Sequence, residues 1–208
     1  MVWYGTSNQK EMIMNYPTII LVRHGQTIWN EEGRFQGRLN SPLTKKGELQ
    51  AKENALKLRK NIENMENIKI FSSPLGRARD TALIICRELG INTDSIIFDN
   101  RIIEFNYGIF EGKKREDMMN RQEFQDREAD KWSYKIENGE SYILVKYRVK
   151  DFLDDIKNEK KVIVVAHEMV NRTIRGVYCN YNKNITLSLK QPNNMILLLN
   201  NKEEKILT

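Results

Sequence analysis

The sequence is poor in the features that mark several large classes of protein. It has two cysteines, Cys86 and Cys179, and no Cys-x-x-Cys spacing, so we predict neither a disulfide framework nor a zinc site. No apolar run approaches the roughly 20 residues of a membrane-spanning helix, and residues 1–16 lack the apolar core of a signal peptide. These absences and the two free thiols predict a cytoplasmic protein that does not bind membranes.

Charge of neither sign is concentrated along the chain. Its 208 residues include 34 Lys and Arg against 28 Asp and Glu, a net charge of +6. Basic runs such as Lys113-Lys114-Arg115 are followed by acids, so no nucleic-acid partner is predicted. A small anionic ligand fits this moderate positive charge. The oligomeric state has no signal in the sequence.

Short apolar runs alternate with longer amphipathic segments, and this order predicts the fold. The predicted strands lie at residues 18–22, 68–71, 96–98, 162–165, 185–189 and 195–199. The predicted helices lie near residues 44–62, 77–89, 141–156 and 170–178. Alternation of this kind is typical of an α/β fold with three layers, in which a mostly parallel mixed sheet carries helices on both faces.

The domain organisation follows from the same pattern. Residues 1–16 are polar, and we interpret them as a flexible N-terminal extension. No linker, repeat or low-complexity tract interrupts residues 17–208, which predicts a single domain. The polar stretch 100–140 is expected to hold a long loop and one irregular helix, and to form a cap or lid over the sheet.

Charged and polar side chains follow the predicted strands where an open α/β sheet binds its ligands. These residues are Arg23, His24, Arg77, Arg101, Glu104 and His167. The chain has only two histidines, and each ends a buried strand. Guanidinium groups offer permanent charge and a planar fork for phosphate oxygens, while neutral imidazole offers a nucleophilic nitrogen. The pattern therefore indicates a phosphate site.

The sequence gives less support for a metal site or a nucleotide-binding site. No His-x-x-x-His pair or acidic triplet is present, and arginines beside the histidines would repel a cation. No Gly-x-Gly-x-x-Gly follows the first strand, and no Walker-type loop is present. We therefore predict no metal and no cofactor.

Five segments of the chain resemble, in order, the motifs of one known family. They read LVRHGQTIWN (21–30), FQGRLNSPLT (35–44), SSPLGRARDTA (72–82), IEFNYGIFEG (103–112) and VVAH (164–167). This set resembles the histidine phosphatase superfamily, in its phosphoglycerate mutase-like branch, over roughly residues 18–200. Gly139-Glu140-Ser141 is similar to a segment common in the phosphatase members. The resemblance implies a phosphoglycerate mutase-like fold.

The resemblance also implies catalytic roles. His24 corresponds to the nucleophile that forms a covalent phosphohistidine, and Glu104 to the general acid and base. Arg23, Arg77 and His167 correspond to the clamp that neutralises the phosphoryl oxygens. The implied substrate-binding residues are Arg23, Asn30, Gln36, Gly37 and Arg77, and no metal is needed. We add Glu168 to this predicted substrate-binding set because of its position directly after His167.

The chain departs from the family at Glu168. Family members often have glycine after the second histidine, whereas a carboxylate there would repel phosphate. Glu168 must therefore point away, pair with a cation or select the substrate. Glu111 and Glu140 are expected to face solvent in structural roles, and Trp29 and Tyr107 either line a substrate pocket or pack in the interior.

The predicted activity is that of a phosphomonoesterase acting on a small phosphorylated metabolite. Mutases of the superfamily bind the substrate carboxylate with an Arg-His pair after the acid, where this chain has Phe105-Asn106. It also lacks their longer insertion before the second histidine. The alternatives are a cofactor-dependent phosphoglycerate mutase and a non-catalytic phospholigand-binding protein. The second alternative predicts erosion of the catalytic set, yet every member is present.

Overall fold

A computed structural model describes residues 16–65 and 68–208. The predicted N-terminal extension, apart from Tyr16, lies outside the described residues. None of the helices in the described part is long and apolar enough to cross a membrane.

Within the part of the chain that the structure describes, six strands, numbered β1 to β6 in chain order, form one mixed sheet in the order β3-β2-β4-β1-β5-β6. The strands β3, β2, β4 and β1 run parallel, while β5 is antiparallel to both β1 and β6. Their bounds are β1 Thr18–Arg23, β2 Lys69–Ser72, β3 Ile96–Phe98, β4 Lys161–Ala166, β5 Ile196–Asn200 and β6 Glu203–Leu207. The carboxyl ends of β1, β2 and β4 therefore meet at one edge.

Helices cover both faces of this sheet. Their bounds are α1 Ile28–Glu31, α2 Lys45–Asn61, α3 Gly76–Leu89, α4 Arg115–Met118, α5 Gln122–Ala129, α6 Tyr142–Asp155, α7 Glu168–Tyr178 and α8 Lys183–Ser188. Side chains of β1 alternate between two apolar clusters: Ile19 and Leu21 pack in the cluster that includes α6 and α7, and Ile20 and Val22 in the one that includes α2 and α3. The predicted three-layer α/β architecture is confirmed.

The last predicted strand pair is wrong. Residues 185–189 do not form a strand, because the Asn182 side chain accepts hydrogen bonds from Asn184 N and Ile185 N and so starts helix α8. On the side away from β1, β5 instead pairs with β6. The two strands are joined by a turn in which Asn201 and Lys202 adopt positive φ angles of 49° and 63°. Strand β6 begins with the polar residues Glu203, Glu204 and Lys205, so no apolar run in the sequence marks it as a strand.

The stretch 100–140 holds two short helices, α4 and α5, rather than the single irregular helix expected. Aromatic packing orders it, since Phe110 and Phe124 lie against Phe35 with ring centroids 5.9 and 6.2 Å apart. The segment thereby contacts the loop after α1. Its role as a cap or lid stays a prediction.

Candidate active site

The register of β1 and β4 brings the two histidines together. Arg23 is paired with Ala166 at the end of the two parallel strands, so His24 and His167 follow side by side. Their ring centroids are 5.1 Å apart, and both side chains are buried. The two residues are separated by 143 positions in sequence, yet they share one site.

The His24 ring has a defined tautomer. Its Nδ1 lies 2.7 Å from the carbonyl oxygen of Gly25, and since a carbonyl only accepts, Nδ1 must carry a proton. Burial, followed by the charges of Arg77 and Arg23, holds the pKa of His24 well below its usual value. The imidazole is therefore neutral at pH 7, with a lone pair on Nε2.

The His167 ring is oriented by Ser73. Its Nε2 lies 2.8 Å from Ser73 Oγ, a hydroxyl that also accepts from the Leu75 amide and can donate its proton to Nε2. Burial and the nearby Arg77 lower the pKa of His167 well below its usual value. When Ser73 donates to Nε2, the neutral ring carries its proton on Nδ1, which is buried and makes no hydrogen bond.

Two arginines complete a set of unpartnered donors. Arg23 donates through Nη1 to the Gln191 carbonyl, and Arg77 donates through Nη1 and Nη2 to the carbonyls of Leu39 and Gly37. The Nε atom of each is buried without a partner. Burial lowers the pKa of Arg77 to about 10, so its charge persists at pH 7. Unsatisfied buried donors are costly, and an anion would satisfy them.

Glu104 is a buried acid in the same site. Its Oε1 accepts from the Phe105 amide at 2.8 Å. Burial raises the pKa of Glu104, against the lowering effect of that hydrogen bond and of Arg77 and Arg23. The environment thus favours a carboxyl group that can give up a proton.

Asn30, Gln36 and Gly37 line the same cavity as the catalytic candidates. Asn30 Oδ1 accepts from Thr27 in a capping box. Gln36 is buried, and its side-chain oxygen has no partner. Gly37 has a φ of 55°, and a Cβ there would lie 1.9 Å from Glu111 Oε1, so any larger residue would be strained in this turn and would displace the Glu111 carboxylate.

The expectation that Glu111 and Glu140 face solvent is wrong. Glu140 is buried, accepts from Arg148 and Arg38, and accepts from the Asn106 amide. Glu111 is half-buried, and its Oε1 accepts from the amides of Arg38 and Tyr107. Both carboxylates therefore tie the loop that contains Gly37 to the segment that contains Glu104.

Other side chains near the site had no clear signal in the sequence. Arg148 donates to the carbonyls of Arg101 and Glu104, and Asn193 donates to the His24 carbonyl at 2.6 Å. These contacts are with main-chain carbonyls, and no sequence motif marks contacts of that kind. Arg101 pairs with Asp99 and Asp155 instead of joining the site.

The sequence did not decide whether Trp29 and Tyr107 line a substrate pocket or pack in the interior, and the structure places them differently. Tyr107 lines the cavity and packs against Phe35, with ring centroids 4.8 Å apart. Trp29 is half-buried beside Gly112, 3.5 Å from where a Cβ of that glycine would lie. Only Tyr107 of the pair is among the residues that line the cavity.

Four of the catalytic candidates, Arg23, His24, Arg77 and Glu104, line a cavity of about 200 Å³. His167 is not among the lining residues, but its ring centroid is 5.1 Å from that of His24. A second, larger cavity of about 730 Å³ lies elsewhere, against α6 and α7, and includes none of them. Within residues 16–65 and 68–208, no group of three or more His, Cys, Asp or Glu could hold a metal ion. The smaller cavity combines arginines, the neutral imidazole of His24 and a protonatable acid, a combination suited to phosphoryl transfer.

The chain belongs to the histidine phosphatase superfamily. The family model for its branch 1 matches residues 19–206. Phosphoserine phosphatase 1 from Hydrogenobacter thermophilus is 34% identical over 166 residues, which cover 77% of this chain and 74% of that protein. "Probable phosphoglycerate mutase GpmB" from Escherichia coli is 36% identical over 154 residues, covering 72% and 68%. The superfamily includes both phosphatases and mutases, and the family itself supports phosphatase activity in general.

Solved structures agree with this fold. Bacillus stearothermophilus YhfR has a TM-score of 0.77 at 26% identity, with 91% of this chain and 95% of that chain covered. A mycobacterial glucosyl-3-phosphoglycerate phosphatase has a TM-score of 0.77 at 21% identity, with 91% and 96% covered. The phosphoglycerate mutase-like fold implied by the motifs is thus confirmed.

We predict that the buried neutral histidines make stability depend on pH. Below about pH 6.5 the unfolded chain takes up protons on its histidines, while the folded chain does not. The free energy of unfolding therefore decreases as the pH is lowered, by about 1.4 kcal/mol per histidine at pH 5.5. Denaturant unfolding of wild type and His24→Gln at pH 7.5 and 5.5 measures this.

His24→Gln should lose about 1.4 kcal/mol less than wild type between the two pH values. All other titrating groups are common to both proteins and cancel in the comparison. An equal loss in both proteins would contradict a His24 ring that is neutral in the folded state.

Proposed function

We propose that this chain is a phosphomonoesterase that transfers the phosphoryl group of a small phosphorylated metabolite to His24 and then to water. One observation carries the proposal: the neutral His24 ring shares a buried site with unpartnered side-chain nitrogens of Arg23, Arg77 and His167. Such a site binds a phosphate dianion and presents a nucleophile to it. A cytoplasmic location belongs to the same proposal.

In the first step His24 Nε2 attacks phosphorus. The ester P–O bond breaks, and the leaving alkoxide takes the proton of Glu104. Arg23, Arg77 and His167 stabilise the charge on the three phosphoryl oxygens. The raised pKa of Glu104, caused first by burial, suits a group that must hold a proton until the bond breaks.

In the second step water attacks the phosphohistidine. Glu104, now a carboxylate, accepts a proton from this water, and the P–N bond breaks as the new P–O bond forms. His24 regains its lone pair, and inorganic phosphate leaves. Two guanidinium groups supply the fixed positive charge in both steps.

The residues after Glu104 favour hydrolysis over mutase activity. Phe105 is buried among Tyr107 and Tyr142, with ring centroids 4.9 and 5.2 Å away. The Asn106 side chain accepts from the Gly108 amide. Neither side chain supplies the charge that the Arg-His pair of the mutases places directly after the acid. The cavity of about 200 Å³ is below the range of about 300–1,000 Å³ typical of drug-sized ligands, which favours a leaving group of few atoms.

A panel of phosphorylated metabolites tests this function. The panel includes phosphoserine, 3-phosphoglycerate and larger phosphate esters, with inorganic phosphate release scored as kcat/KM in the presence of a chelator. We expect phosphate release from the smallest esters. Bisphosphate-dependent interconversion of 2- and 3-phosphoglycerate without phosphate release would favour the mutase, and binding without turnover would favour a non-catalytic protein.

We predict that Glu104→Gln affects alkyl and aryl esters differently. An alkoxide needs a proton to leave, so cleavage of an alkyl phosphate should slow by about 10²–10⁴-fold. The phenolate of p-nitrophenyl phosphate leaves without one, so its first-turnover burst should slow about tenfold or less. Rapid-mixing measurements on both esters give the comparison.

The aryl ester is the internal control for folding and phosphate binding in this variant. If Glu104→Gln slows both first turnovers equally, Glu104 is not the general acid.

A further inference from the structure

Glu168 places a carboxylate in the wall of the proposed active site. It is the first residue of α7, directly after His167, and it lines the same cavity. Its Oε2 lies 2.9 Å from Arg23 Nη1, its Oε1 lies 3.6 Å from Arg172 Nη2, and its side chain is 22% exposed. The carboxylate is therefore held beside the phosphate clamp by two guanidinium groups, and one of its sides reaches solvent.

Phosphate and Glu168 use different atoms of Arg23. The Nη1 atom contacts Glu168 and the Gln191 carbonyl, whereas Nε is buried and unpartnered. A phosphoryl oxygen can therefore bind Nε while Glu168 keeps its contact with Nη1. The negative charge then remains in the cavity wall while a substrate is bound.

A carboxylate in that position discriminates between leaving groups by their charge. A negative group beside it is repelled, and an ammonium group is attracted through a charge-assisted hydrogen bond. The cavity is about 200 Å³, so the leaving group cannot place its charged substituents far from this wall. Glu168 is thus close enough to act on a substrate of few atoms.

Positive charge lies on another part of the same wall. Arg34 and Arg115 line the cavity from the two segments that pair at Arg34 and Lys114. Arg34 also contacts Glu32 and the Gly112 carbonyl, and Arg115 lies over the Phe124 ring at 5.3 Å and 3.7 Å from Glu128. Beyond the phosphate clamp the cavity thus offers both an acid and bases.

We propose that the site selects a phosphomonoester whose small leaving group carries a primary ammonium group next to a carboxylate, and that Glu168 binds the ammonium. Arg34 and Arg115 bind the carboxylate. This inference rests on the proposed phosphatase activity. Glu168 acts here as a specificity residue, because it contacts the leaving group and takes no part in the transfer of the phosphoryl group.

Two substrates isolate the ammonium contact. Phosphoserine and 3-phosphoglycerate share a carbon skeleton, a carboxylate and a phosphate ester, and differ in an ammonium or a hydroxyl group at one carbon. We expect kcat/KM of the wild-type protein to favour phosphoserine at least tenfold. Glu168→Gln should lower this ratio by about 10- to 100-fold, chiefly through phosphoserine.

Two control variants test whether the change in the ratio of the two kcat/KM values is caused by the charge of Glu168. Glu53→Gln removes the same charge from an exposed position on α2 and should leave the ratio unchanged. The charge of Glu168 also raises the pKa of Glu104, with burial as the larger cause. That effect and any loosening of Arg23 act on both substrates alike, so they cancel in the ratio. Glu168→Asp keeps the charge and should keep the preference for phosphoserine.

The outcomes separate this inference from the proposed function. The proposed role of Glu168 is overturned if the wild type releases phosphate without a preference for phosphoserine, or if Glu168→Gln retains that preference. The proposed phosphatase activity stands in both cases. The wild-type ratio decides even if a variant fails to fold. No release from either substrate or from p-nitrophenyl phosphate overturns both.

Discussion

The parallel pairing of β1 with β4 is the constraint on which the site depends. Because Arg23 is opposite Ala166, the next residue of each strand is a histidine, and the two rings lie 5.1 Å apart. Two imidazolium ions could not lie so close beside buried arginines, and burial with those arginines keeps both rings neutral. The sheet register therefore places a neutral imidazole at the site at pH 7, the form in which histidine can act as a nucleophile without a neighbouring base.

The surrounding contacts hold this site ready for an anion. Arg77 uses two of its nitrogens to hold the carbonyls of Gly37 and Leu39, which leaves Nε for a ligand. Glu140 links the Glu104 segment to Arg148 and to Arg38. Such contacts fix donors and acid before substrate arrives, so little reorganisation is needed during phosphoryl transfer. Glu168 belongs to the same wall, and in our proposal it acts on the leaving group.

Apolar runs and family motifs predicted the parallel part of the sheet and the residues that follow its strands, because buried strands need β-branched residues and catalytic chemistry needs particular side chains. The polar strand β6 was missed because it pairs through its main chain at the sheet edge, with most of its side chains exposed. The burial of Glu140 was missed for a related reason. Its partners Arg38 and the Asn106 amide are 102 and 34 positions away in the chain, and no local pattern records such contacts.

The central claim is that His24 becomes covalently phosphorylated. A rapid alkaline quench during turnover preserves phosphohistidine, and peptide mapping by mass spectrometry then locates the phosphoryl group. The account predicts one phosphoryl group on the peptide that contains His24, absent in His24→Ala. A phosphoryl group on His167 or on a serine, or turnover with no phosphorylated peptide at any quench time, would contradict it.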